Sequence, residues 1–299
     1  MNSLPRNLII IGAGRIAYSI ANAVKDGKYE SISVLSKSLE SAKILAEKYS
    51  FKYHYNDYNS LNKREAIFLL TVPDEQIIVA AEQLSKNSKI DFSKSLFIHF
   101  SGALSLEMLN PVKLRDANIA SIHIMQTFHS RKAIPLNDLF CAVETENEQI
   151  EDLVFQFAES LKLKPKKINS EDKSFYHLAG VFASNFLFSS LYFAEILMDK
   201  SFAGDVNSPE ILGSLINSSL TNAKNYGIEN SITGPLVRGD LETIRKHISA
   251  IDKLENNLLI KHAYVINSLN LLNIIESHES TLTYNQKAIK DFLKQFNYI

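Results

Sequence analysis

A glycine-rich turn near the amino end carries the strongest chemical signal in the sequence. The stretch LIIIGAGRIAYSIANAV spaces Gly12, Gly14 and Ala17 in a G-x-G-x-x-A pattern. The first glycine permits a tight turn, the second lets a phosphate approach the backbone, and the alanine keeps the next helix close to its strand. An apolar strand precedes the pattern and an amphipathic helix follows it, which is the context such a site requires. The pattern predicts a dinucleotide whose pyrophosphate lies on that helix N-terminus.

The residues after the second predicted strand indicate which dinucleotide is bound. Sites for NAD usually place Asp or Glu about 20 residues beyond the glycine turn. Here Ser36, Lys37 and Ser38 take that place, so a cation and two hydroxyls can receive a 2′-phosphate. We therefore predict NADP(H) as the cofactor. The preference for NADP(H) over NAD(H) would be weaker if Lys37 is only a solvated surface residue, or if the carboxylate of Glu40 reaches back to the site. The predicted cofactor residues are Gly12, Ala13, Gly14, Arg15, Ile16, Ser36, Lys37, Ser38, Val72 and Pro73.

A polar stripe marks one long apolar helix in the second half of the chain. In EDKSFYHLAGVFASNF, four residues fall within an arc of about 60° when each residue turns about 100°: Lys173, His177, Gly180 and Ser184. Tyr176 borders this arc, and Asn185 lies about 120° away from its start. A stripe of this kind predicts a helix face that meets a ligand cleft.

Further candidate ligands follow two predicted strands. Ser101 and Gly102 end the segment HFSG, and His123 and Gln126 come just after the next strand. Carboxyl ends of parallel strands meet at one edge, so these residues are candidates for substrate binding. For Ser101, capping of the segment at Leu104 is an equally good interpretation.

One arginine in the segment TGPLVRGD is a candidate ligand for an anion. Arg238 can clamp a carboxylate or phosphate, or it can pair with Asp240 and stiffen the turn. Asp240 itself most simply caps the following helix. The eight histidines show no zinc spacing and Cys141 is isolated, so no metal site is predicted.

Elements that alternate between strand and helix must position these residues. That alternation predicts an α/β Rossmann domain with a doubly wound parallel sheet over residues 1–168, because each strand is followed by a helix that returns to the next one. Only long helices follow, so residues 169–299 are predicted to form an all-α substrate and dimerisation domain. The predicted strands are Asn7 to Ile11, Ser31 to Leu35, Ala66 to Val72, Leu96 to Phe100 and Ile119 to Ile122, with weaker candidates at Phe140 to Val143 and Lys166 to Ile168.

Composition excludes several classes of partner. The net charge is −1 and 22% of residues are charged, so no strong field favours nucleic acid or an anionic membrane. A single cysteine fits a reducing compartment, and we expect a cytoplasmic protein. The uncharged run of residues 178–194 is shorter than the about 20 residues a spanning helix needs. It is therefore interpreted as a buried core helix, with no membrane association.

Several segments together resemble a known family. VLSKSLESAKILA, TVPDEQI, HFSGALSLEML, SIHIMQTF, DKSFYHLAGVFASNF and TGPLVRGD resemble bacterial Rossmann-like proteins with a C-terminal helical domain of unknown function, regarded as NADP oxidoreductases. This family lies in the superfamily of 6-phosphogluconate dehydrogenase, β-hydroxyacid dehydrogenase and ketopantoate reductase. The resemblance implies that Lys173 stands at the catalytic lysine position, whereas His177 stands where the superfamily has Asn.

These observations lead to two hypotheses about function. In the first, the chain is an NADP(H)-dependent oxidoreductase that moves a hydride to or from a small oxo- or imino-acid-like substrate, with Lys173 or His177 as proton donor. In the second, it is a non-catalytic NADP(H)-binding regulatory module. The apolar helix of the second half, like the resembling superfamily, indicates a homodimer formed through the helical domain.

Overall fold

An eight-stranded sheet dominates the amino-terminal part of the computed structural model, which describes residues 3–62, 64–205 and 207–296. The strand order is β3-β2-β1-β4-β5-β6-β7-β8, and all neighbours are parallel except β6 and β7. The first six strands follow the order of a doubly wound dinucleotide-binding sheet, so the predicted fold class is confirmed. The strands are β1 Asn7–Ile11, β2 Ser31–Leu35, β3 Tyr53–Tyr55, β4 Ile67–Leu70, β5 Leu96–His99, β6 Asn118–Ile124, β7 Phe140–Thr145 and β8 Lys164–Lys167.

Helices cover both faces of this sheet. Alternate residues of β1 enter different cores: Leu8 and Ile10 belong to one apolar cluster, and Ile9 and Ile11 to the other. Burial on both faces explains why the central strands are continuous apolar runs. The helices of this part are α1 Arg15–Val24, α2 Leu39–Lys48, α3 Ile77–Ser85, α4 Asn110–Lys113 and α5 Glu148–Ser160. Residues of α1, α2 and α5 fill the first cluster, and residues of α3 fill the second.

The long helical segment that follows β8 is not uniform. It begins with α6 Lys173–Gly180, passes through a π-helical turn at Val181–Asn185 and continues as α7 Phe186–Phe202. The sheet ends at Lys167, whereas one compact unit extends over residues 1–186 and a second over residues 187–299. The division by contacts therefore falls within the long helix, later than the predicted boundary after residue 168.

The regular elements among the described residues of the second unit are all helices. Its remaining helices are α8 Ser208–Tyr226, α9 Pro235–Arg238, α10 Leu241–Ile251, α11 Leu258–Glu279 and α12 Tyr284–Lys294. Ile244, Val265, Leu272 and Ile289 are buried in its core, where α10, α11 and α12 meet. The Asp240 carboxylate accepts a hydrogen bond from the Thr243 amide at 3.0 Å and caps α10, as the sequence predicts.

Candidate functional site

The glycine turn after β1 has the backbone shape that its sequence predicts. Gly12 has φ of +106°, and a Cβ there would lie 2.9 Å from Cγ1 of Val72. The Thr71 hydroxyl lies 3.0 Å from the carbonyl oxygens of both Ile11 and Gly12, and therefore ties the turn to β4. Any side chain at Gly12 would be strained and would displace its neighbours, so glycine is required here.

The first turn of α1 leaves its backbone donors available. Gly14 is the N-cap residue and offers no side-chain cap, and no acidic residue lies in the first turn. Ala17 is fully buried, which brings the helix close to the sheet. Unpaired N–H groups and the helix dipole favour an anion at this position.

A cavity of about 540 Å³ opens at this turn. Its described lining contains no carboxylate, and its two cations are Lys37 and Arg131. Seven predicted cofactor residues line it: Gly12, Ala13, Gly14, Ser36, Lys37, Val72 and Pro73. Size, charge and backbone donors therefore fit a phosphorylated dinucleotide.

Three predicted cofactor residues lie outside that lining. Ser38 caps α2 by accepting a hydrogen bond from the Ser41 amide at 3.2 Å. Ile16 packs against the core, and Arg15 is exposed at the first position of α1. Ser38 therefore already has a structural role, because short hydroxyl side chains are strongly preferred as helix caps.

A second cavity, of about 330 Å³, lies within the first compact unit beside the end of β6. The predicted residues His123, Gln126, His177 and Ser184 all line it. The strand-end residues and the polar helix stripe thus meet in one place. The other lining residues are Met125, Thr127, Gly180, Val181, Ala183 and Asn185.

The π-helical turn explains one residue that simple periodicity places elsewhere. Uniform spacing of about 100° per residue puts Asn185 outside the polar stripe. In the structure, Val181–Asn185 forms a wider turn, and Ser184 and Asn185 both line the cavity. Single π turns inside helices are frequent at functional sites.

His123 lines this second cavity, and Tyr176 holds its ring from behind the lining. The Tyr176 hydroxyl lies 3.0 Å from Nδ1 of His123 and donates to the His123 carbonyl at 3.2 Å. Burial, followed by the charges of His177 and Lys173, lowers the pKa of His123 to about 4. Burial raises the pKa of Tyr176 to about 12. Both groups are therefore neutral at neutral pH.

Gly102 leaves space for the ring of His123. A Cβ at Gly102 would lie 2.7 Å from Nε2 of His123, so the ring occupies the room that the missing side chain leaves. Sequence reasoning selected Gly102 as a substrate ligand. In the structure it contacts the imidazole instead, and it does not line the second cavity.

Lys173 is buried away from both cavities. Its side chain is 3% exposed, and its Nζ donates to Glu144 Oε2 at 2.8 Å and to Ser121 Oγ at 3.0 Å. It also donates to the Leu104 carbonyl, while the Ser170 hydroxyl donates to Glu144. Burial lowers the pKa of the Lys173 ammonium, and the bond to Glu144 opposes that shift. The ion pair fixes the first turn of α6 to the sheet.

The hydroxyl of Ser101 also makes hydrogen bonds within the protein. Its hydroxyl donates to Asp74 Oδ2 at 2.7 Å and accepts from the amides of Ala103 and Leu104 at 3.3 and 3.1 Å. These contacts agree with the interpretation of Ser101 as a cap for the segment at Leu104. Asp74, the first residue of the short helical turn after Pro73, makes no capping bond and accepts from Ser101.

Other candidate residues line neither of these cavities. Arg238 is exposed in the second compact unit, and its charge helps to lower the pKa of Asp240 after the hydrogen bonds from Thr243. Cys141 is buried, and burial raises the pKa of its thiol to about 12. Within residues 3–62, 64–205 and 207–296, no group of three or more His, Cys, Asp or Glu side chains could hold a metal ion.

Two family models match successive parts of the chain. Residues 2–101 match shikimate / quinate 5-dehydrogenase, and residues 139–270 match a domain of unknown function, DUF2520. The amino-terminal part of the chain is therefore similar to a dehydrogenase family, and its later part to this domain. The resemblance to Rossmann-like proteins with a C-terminal domain of unknown function is confirmed.

Solved structures share this fold over most of their length. A Bacteroides fragilis protein provisionally named an NADP oxidoreductase is 20% identical, with TM-score 0.71 over 89% of this chain and 98% of its own. A Thermotoga maritima protein is 26% identical, with TM-score 0.70 over 91% and 99%. A reductive aminase from Aspergillus terreus, solved with NADPH and ethyl-5-oxohexanoate, is 14% identical, with TM-score 0.59 over 97% and 93%.

Curated relatives match a shorter part. Glutamyl-tRNA reductases from Saccharolobus islandicus are 25% identical over 113 residues, which cover 30% of this chain and 26% of the relative. A glutamyl-tRNA reductase from Sulfurisphaera tokodaii is 25% identical over 117 residues, or 38% and 27%. The chain thus spans about a quarter of the length of these relatives.

Two helices are long and apolar enough to cross a membrane by length and composition alone. They are Ser170–Phe202 and Leu258–Glu279, and 0% of the most apolar stretch of the first is buried. The interpretation of this stretch as a buried core helix is therefore wrong for the single chain. Helical periodicity reports apolar surface, but it cannot tell whether the same chain or another molecule covers it.

Proposed function

We propose that this chain is an NADP(H)-dependent oxidoreductase acting on a small carbonyl or imine compound. The cavity at the glycine turn carries the proposal, because it combines free helix N–H groups with two cations and a carboxylate-free described lining. The reductive aminase of the same fold binds NADPH, which supports this choice of cofactor. Gly12, Ala13 and Gly14 would hold the pyrophosphate, and Ser36 and Lys37 would receive the 2′-phosphate.

Bound NADPH supplies a hydride to an electrophilic carbon. The chain must then deliver a proton to the atom on which negative charge develops. His177 is the best candidate, since its ring lines the second cavity, whereas Lys173 is committed to Glu144. Lys173 then acts as a positioning residue that holds α6 one turn before His177.

The neighbours of His177 suit an orienting role. His123, with its pKa near 4, stays neutral and can accept or donate a single hydrogen bond. Gln126, Ser184 and Asn185 add neutral polar groups along the same wall. A cavity of about 330 Å³ suits a small oxo or imino compound. Binding of a substrate carboxylate by Arg238 stays a prediction from the sequence.

A turnover screen tests this proposal. Purified protein with NADPH is offered a panel of oxo acids, ketones with amines, and cyclic imines, and loss of NADPH absorbance is followed. Replacing His177 by Ala should lower kcat by about 100- to 10,000-fold while NADPH affinity stays within about twofold. His129→Ala is the matched control, because His129 is exposed and lines neither cavity.

The same screen separates catalysis from simple binding. Tight NADPH binding without turnover of any panel member would favour the non-catalytic regulatory module. Turnover that survives His177→Ala unchanged would instead remove His177 from the mechanism. Absence of NADPH binding to the unaltered protein would overturn the proposal as a whole.

We further propose a cytoplasmic homodimer formed through the helical part. The helix Ser170–Phe202 leaves an extensive apolar surface uncovered in the single chain. Contiguous exposed apolar surface of this size marks an interaction site. Its exposed side chains include Phe175, Leu178, Phe182, Phe186, Phe188, Tyr192, Leu197 and Phe202.

A second copy explains this surface better than lipid does. The amino end of the helix is fixed to the sheet by buried Lys173, and its π turn places the polar side chains of Ser184 and Asn185 along a cavity. A bilayer would leave such polar groups unsatisfied. Light scattering should give twice the chain mass at micromolar concentration. A monomer, or recovery only with membranes, would contradict this proposal.

A further inference from the structure

The connection between β6 and β7 runs across the edge of the sheet where the dinucleotide cavity opens. It extends over residues 125–139, between the end of β6 and the start of β7. Because these two strands are antiparallel, both ends of the connection lie at the carboxyl edge of the parallel strands. The glycine turn lies at the same edge, and Arg131 of this segment lines the cavity there.

Buried contacts hold this segment against the face of the sheet that carries α1. The Ile134 amide donates to the hydroxyl of Ser19, a fully buried residue of α1, at 3.0 Å. Leu136 is 3% exposed, and Phe128 and Ala133 pack against the same apolar cluster. The backbone on both sides of Arg131 is thus anchored.

Arg131 is an exposed cation on the lining of the cavity. Its side chain lines the same cavity as Gly12 and Gly14, yet it has no hydrogen bond or ion pair within the described part of the chain. The described lining also lacks a carboxylate. A guanidinium in this setting can bind phosphate oxygens through two parallel hydrogen bonds.

We propose that Arg131 binds the pyrophosphate of the dinucleotide in the cavity that it shares with the glycine turn. This inference rests on the proposed function. The anchor at Ser19 lies on α1, whose N-terminus would receive the pyrophosphate. Lys37 is held at the end of β2 by a 2.6 Å bond to Gln76, which suits it to the 2′-phosphate. The two cations therefore serve different phosphates.

Binding titrations with partial cofactors test this assignment. Calorimetry measures NADPH, ADP, which has the pyrophosphate alone, and adenosine 2′-monophosphate, which has the 2′-phosphate alone. Arg131→Ala should weaken NADPH and ADP by about tenfold or more and leave adenosine 2′-monophosphate within about twofold. Lys37→Ala should weaken NADPH and adenosine 2′-monophosphate but spare ADP.

A neighbouring lysine provides the matched control. Lys132→Ala removes the same charge from the same segment, and Lys132 does not line the cavity, so all three affinities should stay within about twofold. Arg131→Lys should recover only part of the ADP affinity, because lysine keeps the charge but loses the paired donors.

Each alternative has its own signature. Loss of adenosine 2′-monophosphate binding in Arg131→Ala would move Arg131 to the other phosphate and overturn the assignment. If Arg131→Ala and Lys132→Ala weaken the three affinities equally, both residues act only through the general positive charge of the segment. That result would overturn the assignment of Arg131 to the pyrophosphate. If the unaltered protein binds NADPH and Arg131→Ala binds it equally well, this inference alone fails. Failure of the unaltered protein to bind NADPH would defeat the proposed function itself.

Discussion

Replacing Lys173 by Met should unfold the protein far more readily, because it leaves Glu144 buried without a counter-charge. Both side chains are 3% exposed, so neither can turn to water within the native structure. Removing one member of a buried ion pair typically costs about 3–5 kcal/mol. Total stability of a domain is only about 5–15 kcal/mol. The variant should therefore lose a large share of its stability.

Urea unfolding followed by circular dichroism measures this loss. The midpoint should fall while the slope with denaturant stays constant, since the surface exposed on unfolding does not change. Lys166→Met is the control, because Lys166 is exposed, and it should change stability by less than about 0.5 kcal/mol.

The double variant Lys173→Met with Glu144→Gln separates a positioning role from a catalytic one. A neutral amide removes the unpaired charge, so the double variant should recover about 2–3 kcal/mol relative to Lys173→Met alone. If Lys173 only positions α6, turnover should recover with stability. If Lys173 donates the proton, the double variant should stay inactive although it folds.

Two results would refute this reasoning. A cost of less than about 1 kcal/mol for Lys173→Met would show that the ion pair is not a buried, coupled unit. A double variant no more stable than Lys173→Met would show that the loss comes from packing of the lysine stem rather than from the charge of Glu144.

Three further predictions follow from single residues. Ser36→Asp should weaken the binding of NADPH by more than about tenfold, because the new carboxylate repels the 2′-phosphate, and it should spare the binding of NADH. Calorimetry measures both affinities, and equal losses for the two cofactors would contradict the choice of NADP(H). Burial lowers the pKa of His99 from 6.5 to about 3, so its contribution to stability is complete above pH 6.5 and is lost as the pH falls toward 3. His99→Asn should therefore make the free energy of unfolding depend less on pH over that range. An unchanged slope of this free energy with pH would contradict the prediction. Gly102→Ala should push the His123 ring and lower turnover while NADPH affinity holds, and unchanged kinetics would mean that the ring can move freely.

Much of the sheet is predictable because its strands are buried on both faces. β1, β4 and β5 are continuous apolar runs of the kind that only a covered parallel sheet accommodates. The short edge strand β3, with the sequence YHY, is missing from the sequence prediction because its residues are only half-buried and show no clear pattern. Strand β8, KPKK, is a weak candidate for the same reason, since lysine and proline are typical of sheet edges.

The candidate site is less predictable because several of its contacts depend on distant pairing. Lys173 and Glu144 are 29 positions apart, and their meeting requires β7 to turn antiparallel against β6. No local pattern contains that register. Arg131 lies in an irregular segment whose sequence shows no periodicity. Its position depends on the long-range hydrogen bond between Ile134 and Ser19, which the sequence does not indicate.

The buried ion pair and the π turn together account for the position of His177. Lys173 fixes the start of α6 through Glu144 and Ser121, and His177 follows one turn later. The wider turn at Val181–Asn185 then brings Ser184 and Asn185 to the same wall. A regular helix would keep His177 in place but would direct Asn185 elsewhere, because the two positions would differ in angle. Catalytic geometry in this chain would therefore depend on a charge that never contacts the substrate.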